Sequence, residues 1–209
     1  TTVKSYTETL IDGAIDDREI AMQFLSVMEK EADRMTTLVQ DLLELSRIDN
    51  KQMQLDMRPL DLKEIVKETI EAQKIHIEKK GHRIIYEADE GMIYNMIGDS
   101  ARIRQILHNI LSNAIKYSID PGTIHVKLYK NPNIITLQVK DTGIGIAKPD
   151  LERIFERFFR VDKARSRSQG GTGLGLSIVK EMVELHHGKI SITSKPGKGT
   201  TVTVQFNVS

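Results

Sequence analysis

A chain of 209 residues, 39% hydrophobic and 28% charged, has the balance of a globular protein with a sizeable core, which excludes a disordered or membrane-embedded composition. Thirty Lys and Arg against 29 Asp and Glu leave a net charge of +1, so no overall field draws the chain to nucleic acid, and charged partners must be read from local clusters. The absence of cysteine excludes disulfide and thiolate chemistry, and no run approaches the roughly 20 apolar residues that span a bilayer.

Val3, Tyr6 and Leu10 repeat at helical spacing until Gly13. Residues 17–49 contain neither Gly nor Pro, and within them Met28, Ala32, Met35, Val39, Leu42 and Leu45 recur at intervals of three and four, with Leu38 beside the stripe. This spacing predicts a helical hairpin turning at 13–17, whose narrow apolar seam suits a four-helix bundle with a second copy better than packing inside one chain. Arg58-Pro59 breaks the pattern, because the residue before a proline is pushed out of the helical region. A domain boundary is placed there, with a helical hairpin over 1–58 and a second domain over 59–209. Asp61 followed by Glu64 has capping-box spacing, and Ile65, Val66, Ile70 and Ile77 give the next helix an apolar face. Strands are expected over 82–87 and 92–97, and a helix over 100–117 through Ile103, Ile106, Leu107, Ile110, Leu111 and Ala114. Hairpins follow at 123–129 with 134–140 and at 189–193 with 200–206, and helices near 149–155 and 174–187. The fold class is α+β, a helical hairpin followed by an α/β sandwich with helices on one face of a mixed sheet.

Three constellations carry chemistry. In the helix over 100–117, spacings of four and three put Asn109, Asn113 and Lys116 on one face. Amide oxygens suit Mg²⁺ and an ammonium suits phosphate, although a solvated polar face has the same spacing. Asp141-Thr142-Gly143-Ile144-Gly145 ends a strand, and its carboxylate can accept from an amino group such as adenine's, where guanine offers a carbonyl; a tight turn reads the same way. Gly170-Gly171-Thr172-Gly173-Leu174-Gly175 runs into a helix, so free amides and the helix dipole suit an anion. It matches neither the dinucleotide-binding fingerprint nor a P-loop. Between the last two, residues 157–167 hold five basic residues and one acidic, which reads as a mobile cationic flap over a polyphosphate, anchored by Phe155, Phe158 and Phe159. A nucleic-acid patch is disfavoured because the aromatics cluster and do not interleave with the basic residues.

The order of Asn109 to Tyr117, Asp141 to Gly145, Phe155 to Phe159 and Gly171 to Gly175 resembles the N, G1, F and G2 boxes of the sensor histidine kinases, with a Bergerat-type ATP-binding domain. The preceding hairpin resembles their dimerisation and phosphotransfer domain. The resemblance implies ATP and Mg²⁺ as cofactors, with Asn113 as Mg²⁺ ligand and Asn109 beside it. It implies Lys116 and Tyr117 at the phosphates, Asp141 at the adenine amine and Gly143 and Gly145 along the base. Arg157 and Arg160 would act from the lid, Gly171, Gly173 and Leu174 would line the phosphate loop, and Thr200 would stand near adenine. Asn109, Lys116, Arg157 and Arg160 would then serve the transfer itself. The family further implies a homodimer through the hairpin, a response-regulator receiver domain as partner, no nucleic acid, and the cytoplasmic part of a membrane-anchored bacterial sensor.

The family's His-Glu-Leu-Arg-Thr-Pro-like acceptor box does not occur in this sequence. His76, His82, His108, His125, His186 and His187 lack its context and are expected to be structural. Two alternatives are an ATPase of the gyrase, chaperone or mismatch-repair kind and a non-catalytic dimerisation module. The hydrolytic relatives carry a Glu base where this chain has Asn109, and an amide cannot take the proton.

Overall fold

Helices α1 (Thr2–Ile11) and α2 (Arg18–Asp49) form a hairpin in a computed structural model that describes residues 2–161 and 171–208. The Asp17 carboxylate accepts from the amides of Glu19 and Ile20 at 2.9 and 3.1 Å, satisfying donors that a helix start leaves open. The Tyr6 and Phe24 rings meet at 4.8 Å between centroids. Met35, Val39 and Leu42 are 51%, 55% and 43% exposed, so packing within one chain leaves most of the apolar seam uncovered. Its last member, Leu45, is buried and joins the core of the second domain together with Leu38.

Strand β1 (Arg58–Asp61) pairs antiparallel with β3 (Asn95–Gly98). Sequence periodicity signals no strand at β1, since four residues cannot display a period; the extended backbone before Pro59 becomes a strand because β3 lies beside it. The strand expected over 92–97 starts only at Asn95, because Tyr94 turns into the core and donates its hydroxyl to the Leu128 carbonyl at 3.1 Å. Helix α3 (Leu62–Lys79) is capped by Asp61, which accepts from the Lys63 amide at 2.9 Å. Glu64 pairs with Lys67 at 2.8 Å, so only the Asp61 half of the expected capping box forms.

The main sheet runs β2 (Arg83–Ala88), β4 (Thr123–Asn131), β5 (Ile134–Asp141), β7 (Gly199–Asn207), β6 (Lys189–Lys195); β2 and β4 are parallel and the other pairs antiparallel. The register sets Val126 opposite Val139, Leu137 opposite Val204 and Ile135 opposite Phe206, giving one continuous apolar face. Helices α4 (Ser100–Tyr117) and α6 (Gly175–Leu185) cover it with Ile106, Ile110, Leu111, Ile178, Val179 and Met182, each at most 1% exposed. Helix α5 (Lys148–Leu151) stops short of the expected 149–155. Beyond it, Arg153 donates to the Asp150 carbonyl and Glu156 to that of Arg153, at 2.9 and 2.8 Å, so the chain closes three-residue turns where an α-helix would need bonds one residue longer. Residues 162–170, most of the expected cationic flap, lie outside the described residues.

Candidate functional site

Helix α4 points its polar face into a cavity because its apolar face is pinned in the core and its start is held by Asp99. The Asp99 side chain accepts from the amides of Ala101, Arg102 and Asp56 at 3.0, 3.1 and 3.1 Å. The cavity measures about 360 Å³, and its walls bring together Asn109, Asn113, Lys116 and Tyr117 from α4, Asp141 and Gly145 from the end of β5, Arg160, Gly171, Gly173 and Thr200. Gly143 stands against the wall, its amide donating to Asp141. Leu174, expected to line a phosphate loop, is fully buried and is not among the residues of the cavity wall.

In the cavity wall Asp141 is 7% exposed. Its Oδ1 accepts from the Gly143 and Thr200 amides at 2.8 and 3.1 Å. Both bonds fall on one oxygen, and Oδ2 takes none from the described residues. Burial raises the proton affinity of this carboxyl above the ordinary value, and the two amides oppose it. Gly145 sits at φ 69°, where a Cβ would stand 2.0 Å from the Lys195 carbonyl, so only glycine lets the turn lie against the β6–β7 hairpin. Ser194 holds the same junction from the other side: its hydroxyl accepts from the Ile146 amide and donates to the Gly199 carbonyl, both at 2.8 Å. No sequence motif marked Ser194.

Two neighbouring cations also line the cavity. Burial, then the neighbouring charges of Arg160 and Lys80, push the Lys116 ammonium down to about 8. Arg160 buries its Nε and Nη2 without a partner among the described residues. A Cβ on Gly171 would lie 2.9 Å from Lys116 Nζ, and one on Gly175 would lie 3.9 Å from Asn109 Cγ, so the glycine loop faces the ammonium and the amides closely. Partly buried cations that repel each other, with no counterion among the described residues, are stabilised by an anion between them.

The folded value of about 8 for Lys116 lies below the ordinary 10.5, so the unfolded chain binds more protons between these limits and stability rises with pH across that window. A polyphosphate placed beside it would favour the ammonium, so such binding would take up a proton and weaken as pH rises through about 8. Calorimetry with ADP in buffers of different ionisation enthalpy should show proton uptake near pH 8 that disappears in Lys116→Met; uptake that persists in the variant would assign it elsewhere.

Helix α2 adds Thr37 and Asp41 to the cavity wall. Asp41 accepts from the Thr172 hydroxyl at 2.8 Å, and burial raises its proton affinity. Arg157 does not line the cavity. Its guanidinium grips Asp49 of α2 through two bonds of 2.6 Å and lies 3.8 Å from Glu181. Local spacing cannot reveal these α2 contacts, because they join segments more than 100 residues apart.

Three of the six histidines have side-chain partners. His82 bonds the Ile115 carbonyl and the Gly122 amide, each at 3.0 Å. His186 bonds the Met182 carbonyl at 2.7 Å and the Asp99 amide at 3.1 Å, and His108 meets Gln73 at 2.7 Å. Among the described residues no three His, Cys, Asp or Glu side chains cluster as a metal site, and no helix is long and apolar enough to cross a membrane.

Residues 98–209 match the family described as histidine kinase-, DNA gyrase B- and HSP90-like ATPase, and residues 1–51 match the His Kinase A (phospho-acceptor) domain. The sensor histidine kinase WalK of Bacillus subtilis (strain 168) is 43% identical over 206 residues, which is 97% of this chain and 33% of WalK; the chain thus spans about a third of that relative. Full-length ShkA, solved in complex with AMPPNP, superposes with a TM-score of 0.77 at 24% identity, covering 91% of this chain and 39% of ShkA. Histidine kinase ThkA, solved in complex with the response regulator protein TrrA, gives 0.80 at 22% identity over 100% of this chain and 58% of that one. These two likenesses show the fold, with its hairpin and mixed sheet. The match of residues 98–209, more than half of the chain, places the protein in the histidine kinase-, DNA gyrase B- and HSP90-like ATPase family.

Proposed function

We propose that this chain is the nucleotide-binding and dimerising part of a two-component sensor kinase, which presents ATP so that its γ-phosphoryl passes to a histidine and onward to an aspartate of a response regulator. The observation that carries the reading is one cavity that holds both a buried hydrogen-bond acceptor, Asp141, and two neighbouring cations, Lys116 and Arg160, with no ion-pair partner among the described residues. Asp141 Oδ2 accepts from the adenine amino group. Lys116 and Arg160 take the phosphates, with the amides of the glycine loop beside them.

The two amides of Asn109 and Asn113 in the same cavity form no hydrogen bond among the described residues, which fits a cation held by one or two protein oxygens and completed by phosphate and water. Mg²⁺ bound there would neutralise charge on the transferring group. The chain's own contribution is positioning and charge: phosphoryl transfer needs little covalent help from protein groups, and fixed cations in a cavity act without reorganising. For Arg157 to reach phosphate it must first release Asp49. The solved relative carrying AMPPNP supports the nucleotide, and the one bound to a response regulator supports the partner. The open seam of Met35, Val39 and Leu42 supports a homodimer through the hairpin.

Residues 1–51, which match the phospho-acceptor domain, contain no histidine. The 209-residue chain should therefore bind ATP but take up no label from γ-³²P-ATP, whereas the parent kinase should acquire acid-labile label and pass it to a regulator. Labelling of the 209-residue chain would identify an acceptor within it. Steady ATP turnover without labelling would replace the kinase reading with the ATPase one.

A further inference from the structure

The end of α4 that carries Lys116 and Tyr117 is gripped from behind by a cluster outside the cavity. A helix leaves its last carbonyls without internal donors. Here Lys80, the residue that caps the C-terminus of α3, donates its Nζ to the carbonyls of Ile115 and Lys116 at 3.1 and 3.2 Å. His82, with its side chain fully buried, reaches the Ile115 carbonyl with Nε2 at 3.0 Å. Its Nδ1 accepts from the Gly122 amide at 3.0 Å, so the ring hydrogen is on Nε2, which donates. Asp120 Oδ1 stands 3.2 Å from that nitrogen and 3.8 Å from Lys80 Nζ. On the opposite side the Tyr117 carbonyl accepts from the Ile144 amide at 3.2 Å, and Ser118 bridges to Gly143. The last turn of α4 is thus held between the loop that follows Asp141 and the Lys80–His82 pair.

Resting on the nucleotide reading of the cavity, we propose that Lys80 and His82 are positioning residues for the phosphate end of the site: they fix the last turn of α4 so that Lys116 stands ready for the phosphates, and Lys80 adds a second positive charge behind it. A cation suits any helix C-terminus through the dipole; what sets Lys80 apart is its place, bonded to the carbonyl of Lys116 itself and so behind the ammonium of the site. The Lys80 ammonium repels Lys116 and contributes to lowering its proton affinity, a cost to the nucleotide-free chain that a polyanion in the cavity reverses. Neither Lys80 nor His82 lines the cavity, and the pair acts through the α4 backbone and the field.

The test compares Mg-ATP, Mg-ADP and adenosine binding in the wild-type chain, Lys80→Met and Lys80→Arg. Lys80→Met should weaken ATP and ADP about tenfold while adenosine stays within about twofold, and Lys80→Arg, which keeps charge and donors, should recover most of the loss. Should Lys80→Met fold poorly, Lys80→Gln, with a donor and no charge, serves the same comparison. Unchanged ATP affinity, or equal losses for ATP and adenosine, would overturn the proposal and leave the nucleotide reading standing. A wild-type chain that binds no ATP would bring down the nucleotide reading and this inference with it.

Discussion

Asp141→Asn is expected to weaken ATP binding by roughly 1.5–3 kcal/mol, the range for a hydrogen bond to a charged group, while the fold stays in place. Both backbone amides that Asp141 satisfies bond to Oδ1, and an asparagine keeps a carbonyl oxygen there. Its other atom becomes an NH₂ group, so at the cavity an acceptor is replaced by a donor that faces the donor of adenine. The turn survives and the recognition inverts. Guanine presents a carbonyl at this position, so the wild-type chain should prefer ATP to GTP and the variant should lose that preference. Calorimetry with both nucleotides settles the matter: equal wild-type affinity for ATP and GTP would remove Asp141 from the base-recognition role.

Arg160→Met should move stability and affinity in opposite directions. The buried Nε and Nη2 of Arg160 have no partner among the described residues, and the guanidinium lies close enough to Lys116 to lower its proton affinity. Methionine keeps the apolar stem, which packs near Gly173, and removes the unsatisfied charge. The nucleotide-free chain should gain about 1 kcal/mol, the low end of the penalty for a buried unsatisfied group. Binding of ATP should lose about 2–3 kcal/mol, because a charge-assisted contact to phosphate disappears. A thermal midpoint that falls, or ATP affinity that holds, would show that Arg160 has a structural partner role and no part in phosphate binding.

These two residues differ in how far sequence could reach them. Asp141 sits at the end of a strand whose alternation is plain, next to glycines that announce a close backbone approach, so both its position and its exposure to a cleft could be inferred. Arg160 was legible only as one of several basic residues. Arg157, three positions earlier, looked equivalent, yet it lies on Asp49 and away from the cavity. Which of two neighbouring arginines faces a site depends on the turn path between them, and residues 152–158 fold as successive turns with no regular period to project. Phe158 illustrates this: it adopts φ 64° and donates its amide to the Gly173 carbonyl, a conformation that no propensity anticipates for an aromatic residue.

By itself the sequence determined the parts whose geometry is periodic. The four-plus-three spacing of Asn109, Asn113 and Lys116 puts them on one side of any α-helix, and the alternation in β4, β5 and β7 builds an apolar face in any sheet that pairs them. It also marked the glycine loop before α6, because bulky side chains would block close approach there. Tertiary structure alone decided which distant segments meet. The Thr200 amide reaches Asp141 across 59 positions, Lys80 and His82 reach the end of α4 across 33 to 36, and Thr172 reaches Asp41 across 131. Each of these contacts is a single polar pair between elements whose relative placement is set by buried apolar surface elsewhere. The burial that docks two elements is non-directional and depends on area, so it leaves no local pattern at the polar residues it brings together.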